Sequence, residues 1–413
     1  MNNGGKVMKK IVVLGAGYAG LKTVVDLQKK FRDQAKIVLI NNVPYHYETM
    51  RLYEVASGNY PYTKMSFELS DVIRPSMTEL VVANVEKVDY ENKQVILTDH
   101  EPVSYDYCVI GLGFTLGTRG IEGADEYTLP MHDVKSAEAI RDRIYEQMQA
   151  YRQDRDAKHL QIVICGAGFQ AVELAGAIAE SRPRYAKMAG CNPEDIKITM
   201  LDGSPRVLPM FNDKLLAYAL DIMKKRDIEL INPAYVQKVT EDSVSYKMAK
   251  APEGTELTVI KAGTMIWMMA FSGHPITEKS GFKQNRYRVM VSEHLTAPES
   301  DDVYILGEDA AVMMPGKKFP YPPTAQMALT MGTYAAKDLA ARIGGTSRPA
   351  AYTYKSLGEV CSIGEDKAVG MAMGKPYKGY LASALKKMII NKSLLEIGGM
   401  KQVFGVGRFD LYH

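Results

Sequence analysis

The chain is punctuated by short runs in which nearly every position is apolar: 11–14, 37–40, 107–110, 162–165, 198–201 and 303–306. None alternates polar with apolar residues, as a strand with one wet face would. They predict strands buried on both faces, the pattern of a parallel sheet. Between them, residues 21–27 and 172–179 carry apolar positions at helical spacing. Residues 133–157, rich in Arg, Asp, Glu and Gln, predict a polar helix and linker. The stretch 182–195 is charged and proline-bearing, which predicts a surface loop.

Two of the strand-to-helix junctions are glycine-rich. The first is Gly15-Ala16-Gly17-Tyr18-Ala19-Gly20, the second Gly166-Ala167-Gly168-Phe169-Gln170-Ala171. Each follows an apolar run and opens a helix, the setting in which such a loop binds a dinucleotide. The first glycine allows the tight turn, and the second lets a pyrophosphate approach the backbone. The third position, Gly20 or Ala171, keeps helix and strand close. A helix start then offers free N–H groups and a positive dipole end to phosphates. Two such loops predict two dinucleotides held face to face, an arrangement for passing hydride between them.

The strands that follow end in Asn41 and Asp202. An acid there accepts hydrogen bonds from a ribose 2′-hydroxyl and repels a 2′-phosphate, so Asp202 favours NADH over NADPH. Arg206 nearby works against that preference, and Asn41 carries no charge. Farther along, 107–110 stops at Gly111-Leu112-Gly113, and 303–306 stops at Gly307-Glu308-Asp309. The latter turn can offer a carboxylate to a ribityl chain, or can simply end a strand. The order of elements predicts one dinucleotide unit over 1–115 and 281–345, interrupted by a second over 116–280, with a distinct tail at 346–413.

Composition adds mainly exclusions. A chain of 413 residues with 46% hydrophobic and 24% charged residues can build two or three ordinary globular cores. Net charge is +3, too small to imply nucleic acid. Cys108, Cys165, Cys191 and Cys361 lack metal or redox spacing, and the seven histidines are scattered, so no metal site is expected. A reducing compartment fits such cysteines. Lys9-Lys10 before 11–14 imitates a signal peptide, but the glycine loop interrupts the run too early. The longest uncharged stretch, 262–277, is shorter than the ~20 residues of a spanning helix, so no membrane crossing is expected.

The tail has its own character. From 377 onward, six basic residues (378, 386, 387, 392, 401, 408) face two acids (396, 410), a balance of +4, so the rest of the chain sums to −1. Apolar residues at 381, 384, 385, 388 and 389 form a helical stripe. A basic amphipathic helix can lie in a membrane interface with its lysines near anionic headgroups. It can equally pack on the body or form a dimer contact.

These motifs together resemble the type II NADH dehydrogenases, single-chain FAD-containing NADH:quinone oxidoreductases that sit on one membrane leaflet. The resemblance runs over nearly the whole chain. It includes residues 15–20, Tyr45-His46-Tyr47, 105–107 with 111–113, and Gly117 with 120–123. It continues through 166–176, Val207-Leu208-Pro209, 278–282, Gly398-Gly399 and Gly407-Arg408-Phe409. The most specific piece is Tyr321-Pro322-Pro323-Thr324-Ala325-Gln326. The resemblance implies two Rossmann-type three-layer α/β domains, for FAD and NADH, and a membrane-docking tail. It implies non-covalent FAD, a homodimer, and peripheral attachment to the cytoplasmic side of the cell membrane. The implied acceptor is a membrane quinone, expected to be menaquinone, reduced without ion pumping.

Residue by residue, the resemblance places Gly15, Gly17, Tyr18, Ala19, Gly20, Asn41, Val85, Gly113, Gly307, Glu308, Asp309, Ala325 and Gln326 at FAD. It places Gly166, Gly168, Phe169, Glu173 and Asp202 at NADH, and Gln326 and Thr330 at the quinone. Glu173 would bond the nicotinamide amide or help deliver protons, or else merely pair with its helix dipole. Gln326 would donate to a quinone oxygen. Three departures stand out. A second glutamine, usual four residues after Gln326, is Thr330. A Trp-Thr-Gly-Gly segment is Trp267-Met268-Met269-Ala270, whose side chains would narrow NADH entry. A Gly-Asp pair at the ribityl chain is Gly307-Glu308, with Asp309 next. Two rivals stay open: a sulfide:quinone oxidoreductase, if Cys361 and another cysteine formed a redox pair, and a weakly active flavoprotein redox sensor.

Overall fold

Strand Lys9–Leu14 lies inside a six-stranded sheet in a computed structural model that describes residues 8–31, 34–252 and 254–410. Ala35–Asn41 and Tyr107–Ile110 flank it, both parallel. Thr78–Val82 extends one side and Ser300–Ile305 the other, also parallel. Thr296–Ala297 closes that edge by antiparallel pairing. In chain order the parallel strands run 3-2-1-4-5 across the sheet, so the order reverses beside Lys9–Leu14. Ligand crevices open at the carboxyl ends of strands at such reversals.

A second, fully parallel sheet of five strands repeats the plan. Gln161–Cys165 lies between Lys197–Leu201 and Thr264–Trp267, with Ile228–Ile231 and Leu129–Pro130 outside them. Its central strand shows why these runs lack alternation. Ile162 and Ile164 enter a core shared with the helices Val134–Asp154, Phe169–Ala189 and Asp213–Lys225. Val163 and Cys165 enter a different core, shared with the antiparallel strands Ala234–Thr240 and Ser243–Met248. Both faces are dry, so both sets of positions must be apolar. The first sheet is layered likewise. Helices Tyr18–Lys30 and Ala325–Gly344 and the antiparallel strands Val85–Asp89 and Gln94–Leu97 share one core with it. The result is two three-layer α/β units.

One expectation fails in the second unit. Residues 182–189 form the end of the 21-residue helix Phe169–Ala189, which runs through Pro183, and are not a surface loop. Tertiary contacts override the local signal. Arg182 is buried, and its guanidinium donates to the carbonyls of Ile196, at 2.9 Å, and Asp227, at 2.7 Å. Tyr185 is fully buried and donates to the Ser57 carbonyl at 2.6 Å. The surface-loop expectation holds only from Gly190 onward.

The tail folds as three antiparallel strands, Gly358–Ser362, Ala368–Ala372 and Lys375–Gly379, and the helix Tyr380–Val406, broken at Gly399. Its apolar stripe is exposed at Leu381 and Met388, but its basic residues are not a free cationic face. Lys386, Lys387 and Arg408 are buried. Lys386 pairs with Glu173 at 2.8 Å and Lys387 with Asp410 at 3.1 Å. Arg408 meets Glu54, Glu365 and Asp410. Of the others, Lys392 pairs with Glu396, Lys401 with Asp71, and Lys378 sits over the Tyr218 ring. The expected headgroup-facing basic residues are therefore corrected: three of the six, Lys386, Lys387 and Arg408, turn inward to partly or fully buried carboxylates, while Lys378, Lys392 and Lys401 stay exposed.

Around Arg408 the charges balance. Arg51, Lys387 and Arg408 stand against Glu54, Glu365 and Asp410. Arg51 also donates to the Val406 carbonyl at 2.7 Å, closing the cluster onto the helix end. Removing one member leaves a buried charge uncompensated. Arg408→Met is expected to destabilise the fold by about 3–5 kcal/mol, read from the denaturant midpoint. A loss below 1 kcal/mol, roughly the worth of an exposed pair, would show that the cluster is not what holds the tail.

Candidate active site

The first glycine loop turns sharply at the sheet's reversal point. Gly15 has φ of 92°, and a Cβ there would sit 2.3 Å from the Gly111 carbonyl oxygen. A Cβ on Gly20 would lie 2.0 Å from the Gly15 carbonyl oxygen, so that helix and turn are in backbone contact. Gly17 is the exposed residue of the loop, and nothing lies within 4 Å of its Cβ position. The helix Tyr18–Lys30 begins there with no side-chain cap and no acid in its first turn. Its N–H groups and dipole are left for an anion.

The loop opens into a cleft. Gly15, Gly17, Tyr18, Ala19, Asn41, Val85, Gly113, Gly307 and Glu308 all line it, brought together from five separated parts of the chain. Glu308 has its carboxyl held above the usual range by burial, with Arg288 opposing. Asp309 does not reach the cleft wall. Its carboxylate accepts from Leu112 N at 2.9 Å and His274 N at 2.7 Å, tying two turns together. Burial pushes that carboxyl up to about 8, against the His274 hydrogen bond and with Glu308 beside it. Ala325, Gln326 and Thr330 do not line it; they lie on the helix whose Ala328 does, and Thr330 is exposed.

The second loop has the same geometry. Gly166 has φ of 122°, Gly168 is exposed with open space at its Cβ position, and the helix Phe169–Ala189 starts uncapped. Ala171, at the third position, is buried. Phe169 is half-buried, edge-on to Phe211. The two strand ends act alike on their loops. Asn41 Oδ1 accepts from Ala16 N at 2.9 Å, and Asp202 Oδ2 accepts from Ala167 N at 2.8 Å. Asp202 also accepts from Ser204 N at 2.7 Å. Arg206, which could have served a 2′-phosphate, pairs instead with Asp213.

Glu173 lies one turn into that helix but is only 2% exposed. It pairs with Lys386 at 2.8 Å and accepts from Ser362 N at 3.1 Å, so it joins the second unit to the tail. Burial holds its carboxyl above the usual range, and Lys386 pulls it back. In the departing segment, Met268 is buried, while a Cβ on Gly166 would lie 3.1 Å from Met269 Cγ. Met269 therefore crowds the Gly166 turn. Ala270 takes a left-handed φ of 56°.

Several cleft residues were not among the expected site residues, although His46 falls within the Tyr45-His46-Tyr47 motif. His46, His132, Asp133 and His274 line the cleft from scattered positions. His46 Nδ1 lies 2.7 Å from the Ala16 carbonyl. Burial, with Lys279 and His132 near, lowers His274 to about 4, so it is neutral at pH 7. Glu48, fully buried, accepts from Tyr18 Oη at 2.9 Å and Ser393 Oγ at 3.1 Å, linking the first loop to the tail helix. Only a three-dimensional arrangement gathers these groups.

Two uncapped helix starts, each behind an open glycine and a polar strand end, define an oxidoreductase that holds two dinucleotides. Residues 9–332 match the pyridine nucleotide-disulphide oxidoreductase family. Over 404 residues the chain is 32% identical to the type II NADH:quinone oxidoreductase of Staphylococcus haemolyticus, covering 97% of this chain and 99% of that one. Among solved structures, NDH2 from Plasmodium falciparum in complex with NADH superposes with a TM-score of 0.84 at 17% identity, covering 96% of this chain and 97% of that one. The sulfide:quinone oxidoreductase of Aquifex aeolicus superposes with 0.77 at 20% identity, covering 98% and 96%. At such identities these two likenesses concern the fold alone. The chain belongs to the pyridine nucleotide-disulphide oxidoreductases and, within them, to the type II NADH:quinone oxidoreductase family. It is an FAD-dependent NADH dehydrogenase, with FAD and NADH as its dinucleotides.

The residues present fit both groups. The open positions at Gly17, Gly113 and Gly168 leave room where a Cβ would obstruct a pyrophosphate or ring. Asp202→Asn keeps an acceptor for Ala167 N but removes the charge, as Asn41 does in the first loop. It is expected to raise kcat/KM with NADPH relative to NADH by about tenfold, while Asp202→Ala should cost NADH about 1.5–3 kcal/mol. Steady-state kinetics with both nucleotides checks this, and unchanged selectivity in Asp202→Asn would remove Asp202 from the ribose site.

Proposed function

We propose that NADH binds at the second glycine loop, FAD in the cleft of the first, and a menaquinone-type membrane quinone beside Gln326. We further propose that the reaction pumps no ions. The carrying observation is the pair of uncapped helix starts, each behind an exposed glycine with open space around it. FAD, when bound, would supply the redox chemistry that links two-electron oxidation of NADH to reduction of the quinone. The chain supplies the rest. Gly17 and Gly168 admit the pyrophosphates, and Asn41 and Asp202 receive ribose hydroxyls. Val85 and Gly113 border the flavin. Glu308, the acid on the cleft wall, takes the ribityl role, and Asp309 fixes the turns behind it. Glu173, its carboxyl raised by burial beside Lys386, is the group that can hold a proton near the nicotinamide side. Gln326 donates to the quinone oxygen. The menaquinone assignment and the absence of pumping rest on the family resemblance. Among the described residues, no helix is long and apolar enough to cross a membrane.

The tail supports docking on one leaflet, with the apolar face as its means. Leu381, Met388 and Leu395 are exposed before the break at Gly399 and Met400 and Phe404 after it, and Phe404 stacks on exposed Phe409 with centroids 5.9 Å apart. Each such side chain fully buried in an apolar phase contributes about 1.5–3 kcal/mol. Lys386, Lys387 and Arg408 are buried in ion pairs, so the basic contribution to docking falls to the exposed Lys378, Lys392 and Lys401 and is secondary to the apolar one. The reading includes a homodimer and the cytoplasmic side of the cell membrane. The sulfide reading is weaker. Cys165 and Cys361 are buried and free, and burial pushes the Cys165 thiol up to about 12 and Cys361 well above its ordinary value. The redox-sensor reading predicts flavin reduction by NADH without quinone turnover.

Anaerobic NADH is expected to bleach the flavin spectrum, and a short-chain naphthoquinone to restore it. Bleaching without restoration would favour the sensor. Gln326→Ala should leave bleaching by NADH within about twofold and slow reoxidation by about tenfold or more, as the loss of a hydrogen bond to developing charge implies. Equal slowing of both halves would assign Gln326 to flavin binding. Vesicle sedimentation is expected to persist in high salt and on zwitterionic lipid, and to weaken in Phe404→Asp. Elution by salt would return the docking to the lysines.

A further inference from the structure

Hydrogen-bond donors around the start of helix Ala325–Gly344 are almost all committed inside the protein. The Gln326 side chain meets the backbone N–H of Leu357 at 3.1 Å. A backbone N–H can only donate, so the atom facing it is the carbonyl Oε1, and the amide has one orientation. The same Oε1 lies 2.8 Å from the Tyr354 hydroxyl, which donates to it. Thr324 Oγ1 accepts from Met327 N at 3.1 Å as the helix cap, and its own proton is free for Tyr354 Oη at 3.3 Å. Donation thus runs from Thr324 to Tyr354 to Gln326. It saturates the Gln326 carbonyl and leaves Nε2 with no hydrogen-bond acceptor among the described residues.

The neighbouring pair is closed. Thr330 Oγ1 donates to the Met327 carbonyl at 2.8 Å, so it accepts from the Tyr352 hydroxyl, also at 2.8 Å. Both protons are used within the protein. The strap that carries the two tyrosines alternates exposed and half-buried residues over 351–355, with Tyr352 and Tyr354 turned toward the helix. Tyr354 is further fixed by Tyr321, whose ring meets it edge-on at 5.2 Å and whose hydroxyl lies 3.4 Å from the Tyr354 carbonyl.

We propose that Tyr354 is a positioning residue for quinone reduction, which together with Leu357 N–H aims Gln326 Nε2 at the acceptor as the free side-chain donor of this face. Thr330 and Tyr352 satisfy each other and leave that task to Gln326. The inference rests on the reading that Gln326 meets the quinone, and it adds the device that orients it.

Tyr354→Phe removes one hydroxyl and keeps the ring on Tyr321. Flavin reduction by NADH and reoxidation by a short-chain naphthoquinone are followed separately by stopped flow in the holoenzyme. Reduction is expected to be unchanged and reoxidation slower by about 3- to 10-fold, the worth of one neutral hydrogen bond. In a Gln326→Ala background, Tyr354→Phe is expected to add nothing further. Tyr354→Phe slowing the double variant as much as the wild type would overturn the proposal. So would slowing of both half-reactions together, or a fall in FAD content or thermal midpoint alongside the rate. If Gln326→Ala slows reoxidation but Tyr354→Phe does not, the orienting role alone fails. If Gln326→Ala itself reoxidises at the wild-type rate, the quinone reading fails at its root.

Discussion

A helix that begins inside a protein leaves its first backbone N–H groups without partners, and this unmet demand organises the molecule. At Gly17 and Gly168 the chain meets it with no side-chain cap and no acid. It places each helix start at the carboxyl end of an interior parallel strand and leaves open space at the glycine in front of it. The strands must be dry on both faces to hold that geometry, which is why their sequences are apolar without alternation. The polar ends of the next strands, Asn41 and Asp202, then brace each loop through Ala16 and Ala167. No side-chain cap satisfies either helix start, so on the binding proposed above the dinucleotides would complete the fold as well as the reaction.

A second constraint governs the tail. Glu48, Glu54 and Glu173 are buried carboxylates contributed by the two dinucleotide units. Desolvated carboxylates need partners, and the tail supplies Ser393, Arg408 and Lys386. The helix that presents an apolar face outward is thereby held by polar contacts inward. Its position relative to both glycine loops is set by charge neutrality and not by apolar packing alone.

The sequence made the glycine loops, their strands and the strand-end residues legible because those features follow from local geometry: a turn, a phosphate and a ribose fit within a few residues. It was silent wherever identity depended on a distant partner. Lys386 and Lys387 sit beside an apolar stripe, and only Glu173 and Asp410 reveal that they point inward. Glu308 and Asp309 are adjacent acids, and the choice between cleft wall and buried brace is made by Leu112 and His274. Pro183 is a sound loop signal by propensity, overridden by the burial of Arg182 and Tyr185. The cleft histidines are invisible as a group because their spacing along the chain carries no pattern.

Leu357 has two faces that belong to different environments. The residue is half exposed at the surface, while its N–H holds the carbonyl of Gln326. A residue placed so is a lever with one arm in the medium outside and the other on a hydrogen-bonding group. Any displacement of that leucine carries its N–H along, so the strap at the surface and the amide of Gln326 shift together.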